Sequence, residues 1–332
     1  TTYPIVQGPM TRVSDVAGFA QSVAEAGGLP MLALALMRPE QVETLLAETA
    51  ERLKGKPWGV GLLGFAPADL IAGQMAVARK HTLPVIEDCA QAHGAKINGQ
   101  MVGTFGDIGA FSTMSGKHHC TGSQGGVVFT KREELYHEIR RNSDRGKPFF
   151  LPAGSTNPVA SLNLNLNDFA AAIGRVQLKK LPDINTRRQI IVSKLGEGFD
   201  DLPTVSLPPL VAGGESVYWF LRLHFHADQA TCSKDEYAQA LAAEGLPINA
   251  SYRAALPHTQ SWFEERRVFG APGYPWSSPD YKGDPHRRFP CTNAQAVMET
   301  HFNLHFHENW GEQEIEDAIA IFQRVDAYFR RG

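Results

Sequence analysis

Lys117 is the residue whose surroundings most suggest covalent chemistry. No acidic residue lies between Ile108 and Gly126, and the lysine stands among small and hydroxylated neighbours. An amine that is buried away from acids is more readily uncharged, or committed to an imine, than a surface amine. Small neighbours leave room for a flat cofactor. We predict that Lys117 is a nucleophile in a cofactor pocket, and the alternative is an ordinary lysine in a surface loop.

Asp88 and Gln91 supply polar groups next to the predicted pocket. Both follow the apolar run at residues 83–86, which is predicted to be a strand. Ligands of open α/β sheets bind outside the carboxyl ends of parallel strands, where these side chains would lie. The alternative is that the polar residues cap a helix that follows the strand.

The first part of the chain alternates short apolar runs with segments of helical period. This alternation predicts parallel βαβ units and an α/β fold. The predicted strands are 4–7, 29–35, 58–65, 83–86 and 125–130, and the predicted helices are 14–26 (capped by Ser14), 39–53, 67–81 and 166–181 (ended by Pro182).

A second region begins near Ile190 and has an α+β pattern. Its predicted strands are 218–225 and 301–307, and its predicted helices are 234–244 and 312–329. Residues 271–290 are rich in Pro, Gly, Ser and charge, which predicts an exposed loop.

Composition argues against several classes of function. The net charge of -3 comes from mixed acidic and basic residues, so no basic face is predicted to bind nucleic acid. The four cysteines include no C-x-x-C pair, which predicts reduced thiols in a cytoplasmic protein. No apolar run reaches the roughly 18 residues of a membrane span, and no signal peptide is recognised at the start.

Five histidines have a spacing that places them in pairs on strand faces: His224, His226, His301, His305 and His307. Such pairs suit a metal site, but no carboxylates stand at matching positions. We interpret them as the polar side of half-buried strands, and we predict no metal.

Four motifs in this order resemble the DegT/DnrJ/EryC1/StrS family of sugar aminotransferases, which use pyridoxal phosphate (PLP). They are residues 85–95, residues 103–112, Lys117 and residues 121–126. A further match at residues 163–174 resembles a helix start of the family, and the likeness runs from about residue 67 to the end. The resemblance implies a fold type I PLP-dependent transferase, with a mostly parallel α/β/α large domain and a smaller α+β C-terminal domain.

The same resemblance implies roles for individual residues. Lys117 would form the Schiff base with PLP and then shuttle a proton, and Asp88 would keep the pyridine nitrogen protonated, so that the ring acts as an electron sink. Ala90 would pack on the ring, Gln91 would hydrogen-bond the ring hydroxyl, and Ser112 would donate to the phosphate.

Other implied roles lie outside this group. Asn163 would reach the phosphate bound by the neighbouring subunit, which implies a homodimer; the alternative is a local cap for the following helix. Tyr252 and His258 resemble a substrate-side loop, and His307 lies where the family has a histidine before its final helix.

The sequence departs from the family pattern in several places. Asn165 stands where the family usually has arginine, and the turn at residues 121–126 is one residue longer than usual. Some members carry histidine in place of the lysine and act as dehydratases; here His118 follows Lys117, which occupies the Schiff-base position. No phosphate turn before a helix and no aromatic residue that covers the ring are recognised at the start of this chain, where the family usually has them.

Residues 1–65 resemble instead the opening βα units of FMN-dependent nitronate monooxygenases (2-nitropropane dioxygenases), which are TIM barrels. The chain is therefore predicted to be a fusion or chimera. The predicted domains are a nitronate-monooxygenase-like segment at 1–66, an incomplete PLP-binding large domain at 67–189 and a small domain at 190–332.

These resemblances imply an aminotransferase acting on a keto sugar, in particular a nucleotide-linked one, or on a keto-cyclitol, with glutamate or glutamine as the donor. A second hypothesis is a catalytically incomplete remnant that serves in packing or dimerisation. A third is an FMN-dependent oxidoreductase.

Overall fold

The computed structural model describes residues 6–8, 14–62, 68–81, 83–252, 256–267, 273–274, 276–279, 281, 284–286, 288 and 290–331. Much of the predicted loop at 271–290 therefore lies outside the described residues.

The N-terminal part is a parallel sheet of three strands in the order β1-β2-β3. Its elements are β1 Val6–Gln7, α1 Ala17–Glu25, β2 Leu29–Ala33, α2 Pro39–Leu53 and β3 Gly59–Gly61. The apolar faces of the two helices and of β2 form a small core, which includes Ala20, Leu32 and Leu46. The prediction that Ser14 caps the first helix was wrong, because α1 begins at Ala17 and its N-cap is Val16.

The middle part contains a second sheet of three strands, in the order β4-β7-β8. Its elements are α3 Ala68–Lys80, β4 Ile86–Asp88, β5 Lys96–Ile97, β6 Gln100–Met101, β7 Ile108–Ser112, β8 Gly126–Phe129 and α4 Glu133–Ser143. Strands β4 and β7 are parallel, whereas β8 runs antiparallel to β7.

Helix α5, Asp168–Phe199, is longer than predicted, since it continues through Pro182. A proline inside a helix lacks the backbone N–H and crowds the preceding turn. Here the second half of α5 has a buried apolar face, and this packing offsets the cost. The buried residues of that face include Ile184, Ile191, Val192, Leu195 and Phe199.

The C-terminal part packs an antiparallel sheet of order β12-β13-β11-β9 against helices. Its elements are β9 Val205–Ser206, β10 Gly214–Glu215, β11 Leu221–Phe225, α6 Lys234–Ala243, β12 Ile248–Asn249, a 3-10 turn Pro257–Thr259, α7 Ser261–Glu264, α8 Thr292–Thr300, β13 His301–Leu304 and α9 Glu312–Phe329. Alternate residues of β11 are buried, and β13, α5, α6 and α9 contribute further buried residues to this core.

Three of the five histidines lie together on this sheet. The rings of His224 and His301 stack with centroids 4.7 Å apart, and the ring of His226 lies 4.4 Å from that of His224. Within the described ranges, no group of His, Cys, Asp and Glu side chains is arranged to hold a metal ion, and no helix is long and apolar enough to cross a membrane.

Candidate functional site

The ends of β4 and β7 bring Asp88, Ser112 and Lys117 to one edge of the middle sheet. Asp88 is the last residue of β4 and pairs with Ala110 of β7 in parallel register. Ser112 ends β7, and the turn that follows holds Lys117, whose N–H donates to the Met114 carbonyl at 2.9 Å. This is the strand edge at which ligands of α/β sheets bind.

A close backbone approach fixes how β7 sits. A Cβ on Gly109 would lie 2.5 Å from the carbonyl oxygen of Gly103, so a side chain at this position would collide with backbone. The glycines of the 103–112 motif therefore allow β7 to pack against the turn that precedes it.

The adjacent carboxylates of β4 point in different directions because side chains alternate along a strand. Glu87 accepts hydrogen bonds from the N–H groups of Gly103 at 2.7 Å and Gly106 at 2.6 Å. Asp88 is exposed and accepts from the N–H of Ala90 at 3.0 Å, which shapes the turn toward Gln91. Glu87 thus supports the fold, whereas Asp88 is open to a ligand.

Lys117 is half-buried, and its amine lies 3.6 Å from the centroid of the Trp219 indole ring. Burial lowers the pKa of Lys117 below its ordinary value, and the carboxylate of Asp88 opposes this shift. The lysine that has no acidic neighbour in sequence therefore has Asp88 as an electrostatic partner in space. A lowered amine pKa is the property that a lysine nucleophile requires.

The two histidines after Lys117 point into the protein. The ring of His118 is buried, and its Nε2 lies 2.8 Å from the Val217 carbonyl. His119 contacts the Gly174 carbonyl at 2.9 Å through its Nε2. Of Lys117 and His118, Lys117 is the one whose pKa is affected by Asp88.

His93 completes a cluster of imidazole rings beneath the site. Its ring centroid lies 6.3 Å from that of His118 and 5.9 Å from that of His119. Burial is the main cause that lowers the pKa of His93 to about 4, and the repulsion that would arise on protonation of both His93 and a histidine neighbour adds to it. Burial, together with the charge of Arg188, likewise lowers the pKa of His118 to about 4. Both rings are therefore neutral at pH 7.

We expect these two rings to make stability depend on pH. Their folded-state pKa values lie below the roughly 6.5 of a free histidine, so the unfolded chain binds these protons first as the pH falls. The contribution of the two neutral rings to the free energy of unfolding is fully present well above pH 6.5 and is lost as the pH falls toward 4. At pH 5 each ring should lower the free energy of unfolding by about 2 kcal/mol. Urea unfolding at pH 7 and pH 5 measures the loss.

In His93→Phe the loss between the two pH values should be smaller by the contribution of one histidine. The matched control is His307→Gln, because the side chain of His307 is 62% exposed. If the loss is the same in His93→Phe as in wild type, His93 is not held neutral by its burial.

The remaining predicted residues lie at different distances from this centre. The hydroxyl of Ser112 accepts a hydrogen bond from the Met114 N–H at 3.3 Å. The ring of Tyr252 is tilted by 52° against that of Phe220, with centroids 6.0 Å apart, and the Phe220 ring lies 5.2 Å from that of Trp219, so a row of aromatic rings leads from Tyr252 to the lysine. His258 lies in the 3-10 turn Pro257–Thr259 and is half-buried.

Two predicted residues lie on the surface. His307 is exposed, with its Nε2 3.7 Å from a carboxylate oxygen of Glu308. Asn163 is exposed and accepts a hydrogen bond from the side-chain amide of Asn165 at 2.9 Å. It is not the cap of α5, because Asn167 is the N-cap and accepts from the Ala170 N–H at 2.9 Å.

Sequence reasoning missed Arg188 and Trp219. Arg188 is buried in α5, pairs with Glu308 at 3.0 Å and donates to the carbonyl of Tyr218 at 2.9 Å. The Arg188 residue is only 7% exposed and stands between Ile184 and Ile191 on the buried face of the helix. A charged residue at an apolar position of the helical pattern is the sequence signal that could have revealed it. Trp219 gives no such signal, because its position depends on contacts far away in sequence.

A sequence profile of the DegT/DnrJ/EryC1/StrS aminotransferase family matches residues 60–323. The chain belongs to this family. The predicted family is confirmed, and the family is one of aminotransferases that depend on PLP.

Two curated aminotransferases show what the chain is similar to. A UDP-N-acetyl-3-dehydro-alpha-D-glucosamine 3-aminotransferase of Acidithiobacillus ferrooxidans is 36% identical over 199 residues, which cover 59% of this chain and 50% of that protein. An L-glutamine:2-deoxy-scyllo-inosose aminotransferase of Micromonospora echinospora is 30% identical over 284 residues, which cover 80% of this chain and 63% of that protein. The chain thus spans between half and two thirds of the length of these relatives.

A solved aminotransferase from Psychrobacter cryohalolentis shares the fold, with a TM-score of 0.68 and 21% identity over 95% of this chain and 86% of that one. The predicted nitronate-monooxygenase fusion finds no support. The family match begins at residue 60, within the segment that was assigned to the flavin enzyme. In the described residues, β1, β2 and β3 form a three-stranded sheet, whereas a TIM barrel closes eight strands. Alternating βα units are common to both folds, so the pattern could not distinguish them.

Proposed function

We propose that this chain is a PLP-dependent aminotransferase that moves an amino group from glutamate or glutamine to a keto sugar or a keto-cyclitol. The proposal depends on one observation: burial lowers the pKa of the Lys117 amine, and the carboxylate of Asp88 acts on that amine. Asp88 ends β4, and Lys117 lies in the turn after the parallel neighbour β7. Membership of the family supplies the reaction class.

The donor set at this edge of the sheet fits PLP. The amine of Lys117 would bond to the cofactor, the open carboxylate of Asp88 would face the pyridine nitrogen, and the hydroxyl of Ser112 would donate to the phosphate. Ala90, half-buried after the Asp88 turn, would pack on the ring, and the exposed amide of Gln91 would reach the ring hydroxyl. When bound, PLP acts as an electron sink for the carbanion formed in amino transfer.

Two residues of this chain would hold or transfer protons next to bound PLP. The carboxylate of Asp88 would hold a proton on the ring nitrogen, and the Lys117 amine would carry a proton between substrate and cofactor. His118 is buried and neutral, and its Nε2 is hydrogen-bonded to the Val217 carbonyl. We therefore assign this proton transfer to Lys117 and not to His118.

The two curated relatives support the substrate class. One acts on a UDP-linked keto sugar and the other on a keto-cyclitol, by their names. We assign Tyr252, His258 and His307 to the substrate side, since Tyr252 connects through Phe220 to Trp219 at the lysine. The cytoplasm is the proposed location, and the large and small domains are proposed at 67–189 and 190–332.

The test is a visible spectrum followed by an amino-transfer assay. PLP added to the protein should give an absorbance band that borohydride bleaches, and glutamate or glutamine should convert that band. Assays with UDP-N-acetyl-3-dehydroglucosamine and 2-deoxy-scyllo-inosose as acceptors then separate nucleotide sugar from cyclitol. A protein without the band, or with a band that neither donor changes, would contradict the proposal.

We also propose that the active form is a homodimer in which Asn163 serves the phosphate site of the neighbouring subunit. Large apolar side chains around Asn163 are exposed to solvent, which is typical of an interaction surface. Leu162 is 72% exposed, Leu164 65% and Phe169, in the first turn of α5, 86%.

If the site is shared, PLP occupancy should fall on dilution because dimerisation and cofactor binding are linked. Sedimentation with detection at the PLP band measures both at once. Phe169→Glu should shift the protein toward monomer and lower its occupancy. Tyr328→Glu is the matched control, since Tyr328 in α9 is also an aromatic residue, 80% exposed. A species of monomer size that keeps one PLP per chain would exclude a shared site.

A further inference from the structure

Trp219 is held against Lys117 by two contacts. The indole face lies 3.6 Å from the amine of Lys117, measured to the ring centroid. The indole N–H donates to the Gly116 carbonyl at 2.6 Å, which joins the ring to the residue that precedes the lysine. An ammonium above a tryptophan face is attracted by the negative π surface of the ring, and partial burial strengthens the attraction.

The segment that carries Trp219 is held by a contact to the backbone carbonyl of each residue from Ser216 to Trp219. Gln189 donates to the Ser216 carbonyl at 2.9 Å, and His118 contacts the Val217 carbonyl at 2.8 Å. Arg188 donates to the carbonyls of Tyr218 at 2.9 Å and Trp219 at 3.3 Å.

The backbone of this segment is strained at Tyr218. Its φ of 47° lies in the left-handed region, which is unfavourable for a residue with a side chain. Strain of this kind persists only where the surroundings enforce it, and it is concentrated at functional sites. Here the hydrogen bonds from α5 enforce the conformation, and its result is the placement of the indole on Lys117.

We propose that Trp219 is a positioning residue that holds the ammonium of Lys117 on its indole face whenever the lysine is not bonded to the cofactor. The inference rests on the proposed function. In the proposed reaction the substrate would take the place of Lys117 on the cofactor, and the freed amine would have to stay close enough to take up a proton and return it. The indole face provides that place without a competing carboxylate.

The neighbouring charge explains why an aromatic face suits this position. Asp88 is the carboxylate that acts on Lys117, and in the proposed reaction it is committed to the ring nitrogen. An acid placed at residue 219 would bind the ammonium tightly and would raise its pKa, which would prevent the lysine from acting as a base. The indole holds the cation more weakly and leaves it able to titrate.

The test compares Trp219→Leu with Trp219→Phe in the protein without added PLP. Competitive labelling of amines across a pH series, read by mass spectrometry, gives the midpoint at which Lys117 becomes reactive. Leucine covers the amine without a π face, so the midpoint should fall by about one pH unit, a tenfold change in the protonation equilibrium. Phenylalanine keeps a π face, so the Lys117 midpoint in Trp219→Phe should lie between those in Trp219→Leu and wild type.

Two controls accompany the labelling. Trp262→Leu should leave the Lys117 midpoint unchanged, since Trp262 lies in α7 and is 43% exposed. Lys131, read in the same digests, reports whether the labelling chemistry is constant. If the Leu variant has an unchanged or higher midpoint, Trp219 only covers the amine or does not act on it, and the proposal is overturned.

The same variants separate this inference from the proposed function. Trp219→Leu should still acquire the borohydride-sensitive band, because Lys117 and Asp88 are retained, but its kcat should fall about tenfold. A wild-type protein that never acquires the band would overturn the proposed function, and the labelling order of Trp, Phe and Leu would still decide whether Trp219 holds the ammonium.

Discussion

Lys117→Ala should abolish the covalent attachment of PLP and all amino transfer while leaving the protein folded. In the proposed function the Lys117 amine bonds to the cofactor. The thiol of Cys89 is not a substitute for it, because that thiol is buried and its pKa is raised to about 12. The fold should survive because Lys117 lies in a turn, and the hydrogen bond of that turn comes from its backbone N–H.

The measurement is the visible spectrum of variant and wild type with equal PLP, before and after borohydride. Lys131→Ala is the matched control, since Lys131 is an exposed lysine whose amine donates to the Thr104 carbonyl at 3.1 Å. Circular dichroism checks that both variants are folded. A borohydride-sensitive band in folded Lys117→Ala would show that another residue binds the cofactor.

The spacing of apolar residues predicted helices and strands well where that same spacing forms the buried face of the element. Helices α2 and α9 begin and end at the residues expected, because each has an apolar stripe of helical period that is buried in a core. Strand β8 was expected one residue longer at each end. Strand β7, which precedes Lys117, was not predicted, so the sequence placed Asp88 at the end of a strand but did not show that a parallel neighbour leads to Lys117.

The errors share a physical origin in tertiary packing. Pro182 ends a helix in isolation, but the buried face that follows it keeps α5 continuous. The three N-terminal βα units have the same period in a barrel and in an open sheet, so the choice between those folds depends on later strands. Neither the continuity of α5 nor the open N-terminal sheet can be predicted from the pattern of a short stretch of sequence.

The part of the candidate site that could not be predicted is the part built by distant contacts. Trp219 reaches the turn of Lys117 across 103 positions of sequence, and Arg188 reaches Glu308 across 120. Motif spacing contains no information about such contacts. The sequence therefore predicted the residues proposed to bind the cofactor, whereas the contacts that hold Lys117 from the C-terminal part became visible only in the structure.

Asp88→Asn should lower turnover on the order of 100-fold, while PLP remains attached to Lys117. An amide cannot hold the ring nitrogen protonated, so the cofactor would be a poorer electron sink, and removing one positioned electrostatic contact commonly costs 10²–10³ in rate, roughly. The turn should persist because the amide oxygen can still accept from the Ala90 N–H. Loss of the carboxylate should also lower the pKa of Lys117 further, since Asp88 raises it.

Glu87→Gln is the matched comparison for this prediction, because the two carboxylates are adjacent on β4 and face different surroundings. Glu87 binds the N–H groups of Gly103 and Gly106, so its loss should lower the urea midpoint and leave turnover per folded molecule nearly unchanged. Asp88→Asn should show the reverse. Equal turnover in wild type and Asp88→Asn would remove Asp88 from the site, and a fall in turnover that matches a fall in stability would assign it to the fold. Only loss of turnover with stability retained agrees with a carboxylate that acts on the cofactor.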